Sequence, residues 1–236
     1  MAGELPKTVF NISSLVTFAI NSNEIAGSLP ADLCYLLPML KAIGFGVNQF
    51  TGEIPSSLPR CESLRVIALP VNEFIGIIPK DIGNLSMIEE VYIAANQLTG
   101  TIPNSLSNSS KITSLDLGFN MLTGNVPTFL GELTYLQSLA LGPNLLTNEP
   151  SLGLSFLTSL TNCRSLNILE IGSNRLHGVL PNSVGNLSAS LALLGAAGCQ
   201  INGMIPSEIG NLSNLVTLDL GNNDLTGSFP VTIGEL

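Results

Sequence analysis

The sequence predicts an α/β-type solenoid, a superhelix of about nine 24-residue repeats with a parallel inner sheet and an irregular or 3₁₀ outer side. Three observations predict it. An asparagine recurs at Asn23, Asn48, Asn72, Asn96, Asn120, Asn144, Asn174 and Asn223, with Cys199 filling the one position it skips, so that the rungs follow one another at a near-constant period broken once, between Asn144 and Asn174. Apolar residues keep a constant phase ahead of it. A Gly-x-(Ile/Leu)-Pro element follows it in most repeats.

Each element of the repeat has a physical reading. Alternating apolar pairs such as Leu115 and Leu117, or Leu218 and Leu220, mark a short strand with one buried face. A further apolar residue precedes the asparagine at a fixed offset (Leu40, Leu64, Ile88, Ile112 and their equivalents) and buries where the chain enters the strand. The asparagine itself turns the chain inward. Its amide can satisfy backbone groups of the neighbouring coil that no strand ladder reaches, so stacked amides form a buried ladder. Cys199 is a small, easily buried substitute with a weak donor.

The second signature reads Ile25-x-Gly27-x-Leu29-Pro30, Phe50-x-Gly52-x-Ile54-Pro55 and Phe74-x-Gly76-x-Ile78-Pro79. Its glycine permits a positive φ at a bend, and its proline stops a regular helix from running through. With these residues in place, the chain resembles the plant extracellular leucine-rich repeat of receptor-like kinase ectodomains. The segments Phe156–Cys163 (FLTSLTNC) and Gly178–Ser188 (GVLPNSVGNLS) further resemble the subgroup of the bacterial flagellin, elongation-factor and rice blight-resistance receptors.

Bulk composition narrows the classes. Only 11% of residues are charged, and the mean hydropathy is +0.44, which a continuous solenoid core explains. Apolar runs are far shorter than the roughly 18 residues a membrane span needs, so no direct membrane insertion by this chain is expected. A net charge of −9 argues against nucleic acid, whose binding rests on neutralising phosphates. The N-terminus does not have the pattern of a signal peptide.

The array is expected to run over residues 1–236, uncapped at both ends, as a fragment of a longer receptor. One repeat, within 145–174, is longer and irregular. There Phe156, Leu157 and Leu160 suggest a helical turn packed on the outer side. Five N-x-Ser sequons, at Asn11, Asn84, Asn108, Asn186 and Asn211, all fall half a repeat away from a ladder position. Glycans there would occupy one outer stripe and leave the inner face bare. Cys34 follows Asn23, and Cys61 follows Asn48, at unequal offsets on adjacent coils. Coil spacing favours a bridge and the phase offset opposes it, so pairing stays open. Cys163 and Cys199 read as buried thiols. No spacing suggests a metal site, and no cofactor is expected.

No catalytic constellation is legible. His177, the only histidine, stands at a surface turn without a nucleophile placed beside it. Function is therefore expected on the exposed inner face, whose larger groups include Glu89, Tyr92, Asp116, Phe119, Glu170 and Arg175. Aromatic and arginine side chains are frequent anchors of recognition. Val47, Val71, Ala95 and Phe119, each one before its ladder asparagine, form an apolar lateral row. Eight acids on this face (Glu24, Glu73, Glu89, Glu90, Asp116, Glu170, Asp219 and Asp224), against Lys41, Arg65 and Arg175, suggest a basic or polar peptide.

The resemblance implies a non-catalytic, ligand-binding part of a cell-surface receptor kinase in defence or development signalling. It implies a peptide or protein ligand, a co-receptor of the same repeat class, and a single-pass anchor and serine/threonine kinase outside this chain. The alternatives are a soluble extracellular inhibitor of pathogen wall-degrading enzymes and a receptor-derived fragment without function.

Overall fold

The computed structural model describes residues 2–149, 151 and 153–235. They form two compact units, one up to Leu122 and one from Thr123 onward, each built of the same coil.

In each coil the first residue of the alternating apolar pair is the centre of a three-residue strand, the second lies just past its end, and within each unit these strands pair in parallel from coil to coil. In the N-terminal unit these inner strands are Thr17–Ala19, Ala42–Gly44, Val66–Ala68, Glu90–Tyr92 and Ser114–Asp116. In the C-terminal unit they are Ser138–Ala140, Ile168–Glu170, Leu193–Gly195 and Thr217–Asp219. Register is constant, so equivalent positions form straight columns, and the central residues Ile43, Ile67, Val91, Leu115, Leu139, Leu169 and Leu194 are buried.

The outer side is mostly 3₁₀ turns, as the proline predicts, from Lys7–Asn11 and Ile82–Asn84 to Ser207–Asn211. Two coils instead carry a short α-helix there, Leu33–Leu36 and Ser155–Ser159. The second of these is the helical turn expected in the long repeat; it runs into the 3₁₀ turn Leu160–Asn162, with Phe156, Leu157 and Leu160 all buried. The outer turns approach so closely that Gly83 has no room for a side chain: a methyl there would collide with the Ser105 carbonyl oxygen.

A second parallel sheet was not legible in the sequence. It consists of Ala2–Glu4, Glu24–Ser28, Gln49–Glu53 and Glu73–Ile75 in the first unit. In the second unit it is Gly178–Val179, Ile201–Gly203 and Asp224–Leu225. These strands run up to the Gly-x-(Ile/Leu)-Pro element, including its glycine at Gly27 and Gly52 and ending just before it at Gly76; the three glycines sit at φ +107, +79 and +81. The N-terminal core also contains an unforeseen aromatic stack. Phe10, Phe18, Phe45, Phe50 and Phe74 follow one another at centroid distances of 6.1, 4.9, 5.3 and 6.2 Å.

The recurring asparagines bond from coil to coil. Asn48, Asn72, Asn96, Asn120, Asn174 and Asn223 each accept, through Oδ1, from a backbone N–H one coil back. Their Nδ2 groups donate to carbonyls of that coil and of their own, as Asn72 does to Phe45 O at 3.0 Å and Leu69 O at 3.2 Å. Asn23 and Asn144 likewise donate to their own coil. At Cys199 the thiol donates to Ile171 O at 3.2 Å, but it has no counterpart of the amide oxygen. The backbone adjusts there: His177 and Gln200 both take positive φ, and the His177 N–H goes to the Cys199 carbonyl.

The pairing that the cysteine offsets leave open is settled by the structure. Cys34 and Cys61 form a disulfide with a Cα–Cα distance of 5.2 Å, despite their phase offset. Cys34 lies within the α-turn Leu33–Leu36, whereas Cys61 follows the 3₁₀ turn Leu58–Arg60, so the two outer turns differ in form and equal residue offsets do not mark equal places on them. Cys163 and Cys199 are free and buried.

Candidate recognition face

The inner strands present their outward side chains in columns. In the first unit Tyr92 lies in register between Ala68 and Asp116, half-buried by its neighbours. Glu89, at the edge of the same strand, is ion-paired with Arg65 one coil back. Phe119 sits at the corner beyond Asp116 and is 65% exposed. The structure thus brings Glu89, Tyr92, Asp116 and Phe119 together on two adjacent coils. Glu170 and Arg175 belong to the other unit. Arg175 is off the inner strand, at the position whose equivalents Glu24, Glu73 and Asp224 open strands of the second sheet. Those three acids therefore line the lateral sheet rather than the inner one.

Several of the remaining acids are already engaged. Asp116, Glu170 and Asp219, equivalent in the repeat, each accept from a backbone N–H two residues on, at 3.1, 3.0 and 3.0 Å from Gly118, Gly172 and Gly221. The Glu170 carboxylate also lies across Gly195 of the next strand, where no side chain displaces it. Burial pushes the Asp116 carboxyl above its usual 3.8, with the Gly118 hydrogen bond acting against that rise. The eight-to-three acid excess therefore overstates the free negative charge of the face.

The lateral row has an unexpected backbone. Val47, Val71, Ala95 and Phe119 adopt φ of 57, 56, 53 and 51°, the left-handed region that β-branched residues rarely enter. The reason is the turn: the N–H of Val47 donates to Pro70 O and that of Asn48 to Val71 O, so both point at the next coil. The same twist throws the side chains outward, leaving Val47 and Val71 each 48% exposed.

All five sequon asparagines are exposed, and each is the last residue of an outer 3₁₀ turn. His177 is exposed on the lateral side. The two free thiols are pushed up to about 11, Cys163 by burial and Cys199 by burial together with the nearby Glu170 charge, which keeps both protonated at neutral pH. A groove of about 840 Å³ runs along the second sheet by Glu4, Phe10, Ser28 and Asp32, away from the inner face. No helix among the described residues is long and apolar enough to cross a membrane.

The Leucine Rich Repeat family profile matches residues 111–133 and 214–236. The receptor kinase-like protein Xa21 of Oryza sativa subsp. japonica is 41% identical over 81 residues, 34% of this chain and 6% of its own length. The receptor-like serine/threonine-protein kinase EFR of Arabidopsis thaliana is 35% identical over 86 residues, 36% of this chain and 6% of its own. Among solved structures, the plant peptide hormone receptor RGFR1 in complex with RGF2 matches with a TM-score of 0.92 at 33% identity, over 100% of this chain and 36% of that one. The Arabidopsis receptor kinase HAESA, in complex with the peptide hormone IDA and the co-receptor SERK1, matches with a TM-score of 0.90 at 27% identity, over 100% of this chain and 38% of that one. The chain thus spans 6% of the length of these curated relatives and 36% and 38% of the two receptor chains.

Proposed function

We propose, from the chain's homology to the plant leucine-rich-repeat receptor-like kinases, that it is a non-catalytic recognition module whose inner face binds a peptide or protein ligand. In this reading it works on the extracellular side of the plasma membrane, as part of a receptor that signals through a kinase elsewhere in the protein. A co-receptor of the same repeat class is its second partner.

The observation that carries the reading is the cluster of Tyr92, Asp116 and Phe119 with the Arg65–Glu89 pair. It joins an exposed aromatic, a half-buried aromatic, a hydrogen-bonded carboxylate and an ion pair on and beside two register-locked strands. Such a surface orients an extended ligand with little loss of its own freedom. The five sequon asparagines lie on the outer turns, so glycans attached there would leave this face open.

The test is peptide binding to the purified glycosylated chain, using RGF2, AtPEP1 and IDA together with a displayed random peptide library. Binders are expected to lose about tenfold or more in affinity with Phe119→Ala or Tyr92→Ala and to be indifferent to Lys80→Ala on the outer side. Equal sensitivity at Phe119 and Lys80, or a set of binders that ignores the inner face altogether, would refute the reading.

A further inference from the structure

Within the first unit the outer stripe of sequon asparagines has one gap, and the gap is furnished. Asn84 is the last residue of the 3₁₀ turn Ile82–Asn84, midway between the ladder residues Asn72 and Asn96. One coil back, the same place at the end of the turn Leu58–Arg60 is held by Arg60, midway between Asn48 and Asn72. One coil further back it is held by Tyr35, in the helix Leu33–Leu36, which stands as far beyond Asn23 as Arg60 stands beyond Asn48. The next position back is Asn11, again a sequon. Between two sequon asparagines, two consecutive coils therefore carry a tyrosine and an arginine.

These two side chains are in contact. The Arg60 guanidinium carbon lies 5.5 Å from the centroid of the Tyr35 ring, a cation–π arrangement on the surface, with Tyr35 63% exposed. The disulfide fixes their spacing, because Cys34 precedes Tyr35 and Cys61 follows Arg60. A long, entropy-rich side chain and an exposed ring are thus held in one arrangement before any partner arrives. Arg60 has no ion-pair partner among the described residues, in a chain whose net charge is −9. The guanidinium lies over the ring without an acid paired to it, so its N–H fork is open to a carboxylate.

We propose that Tyr35 and Arg60 form a docking anchor on the outer side for an acidic protein segment. Two features select that occupant. The guanidinium stands over one face of the ring and has no ion-pair partner among the described residues, so the group on offer is a bidentate carboxylate receptor. The span from Asn11 to Asn84 is three coil steps, about 15 Å at the usual strand spacing. Glycans at both ends would admit an extended strand or a loop tip and turn away a broad domain surface. The anchor is separate from the inner face, so it can hold a second partner while a ligand is bound.

The test uses the secreted, glycosylated chain and matched short-peptide display libraries, one biased to Glu and Asp and the other to Gln and Asn, with a galacturonate oligomer as the sugar probe. The acidic library is expected to bind, to weaken about tenfold with Tyr35→Ala or Arg60→Lys, and to weaken with added salt, while Phe119→Ala leaves it unchanged. Arg60→Lys keeps the charge and the long stem but loses the fork. It therefore decides the matter if Tyr35→Ala disturbs the fold, and its thermal unfolding curve should match that of the parent chain. Equal capture of both libraries, acidic binding that ignores Arg60→Lys, or Arg60-dependent binding of the galacturonate oligomer alone would each overturn the proposal.

Discussion

The backbone N–H of Phe74 donates to Oδ1 of Asn96, one coil ahead, at 3.0 Å. The same amide donates through Nδ2 to Leu69 O of the earlier coil at 3.0 Å, and to Ile93 O and Ala94 O of its own at 3.1 Å. One side chain thus serves two coils, and Phe74 is fully buried, so its N–H has no solvent to turn to. Asn96→Leu is expected to lower the unfolding free energy by about 2–4 kcal/mol, the cost of an orphaned buried donor plus the lost carbonyl partners. Urea unfolding measures it. A change within about half a kcal/mol would mean that the amide is not what joins the coils.

The Cys34–Cys61 bridge closes a loop across a sequence separation of 27. Chain-entropy arguments give a bridge of that reach about 3 kcal/mol. Reduction, or Cys34→Ser with Cys61→Ser, is expected to lower protection from hydrogen exchange in the outer turns Leu33–Leu36 and Leu58–Arg60 by about that amount. The inner strands from Glu90 onward should keep theirs, because contacts in a repeat array are with near neighbours. Uniform loss over both units would show that the bridge acts on the whole chain.

At Val71 stability and recognition are expected to part company. A β-branched residue held at φ 56 is strained, whereas asparagine tolerates this region and occupies the equivalent place at Asn222 with φ 52. Val71→Asn should therefore raise stability by about 0.5–1 kcal/mol while weakening any ligand that covers the lateral apolar row. A loss of stability would show that the exposed valine packs better than its 48% exposure implies.

Asp116 gives the fold a pH dependence of definite sign. Its carboxyl is raised from 3.8 by burial, so the folded chain holds this proton more tightly than the unfolded chain. The stabilisation is complete below about 3.8 and is lost as pH rises through the folded-state value. Asp116→Asn should flatten that part of the stability profile between pH 3.8 and neutrality. A variant whose profile still falls over the same interval would place the titration elsewhere.

The repeating parts of this molecule were legible because they are written many times over. Leu115 and Leu117 announce a strand, and Asn120 announces a ladder rung, since each occupies a phase that recurs along the chain. What escaped the sequence depends on direction rather than phase. Whether Cys34 reaches Cys61 is set by an α-turn in place of a 3₁₀ turn. Whether Asp116 offers a free charge is set by a local hydrogen bond to Gly118. The second sheet was hidden for a different reason. Its strands are only three to five residues long in the first unit and contain or abut the positive-φ glycines Gly27, Gly52 and Gly76, so their apolar residues show no sustained alternation. On the face itself, periodicity indicated where residues stand but not which of them already had partners.

The ladder has a genetic consequence. Each amide answers to a position in the preceding coil, whatever residue stands there. Excision of the coil that runs from Glu73 to Asn96 would bring Gln97 directly after Asn72. The Leu98 N–H would keep its bond to Asn120, and the amide of Asn120, deprived of Ile93 O, would find Leu69 O in its place. A cut of half that length would leave donors facing no acceptor. Unequal recombination between equivalent points can therefore lengthen or shorten such a gene by whole coils, and every product inherits a complete set of rungs.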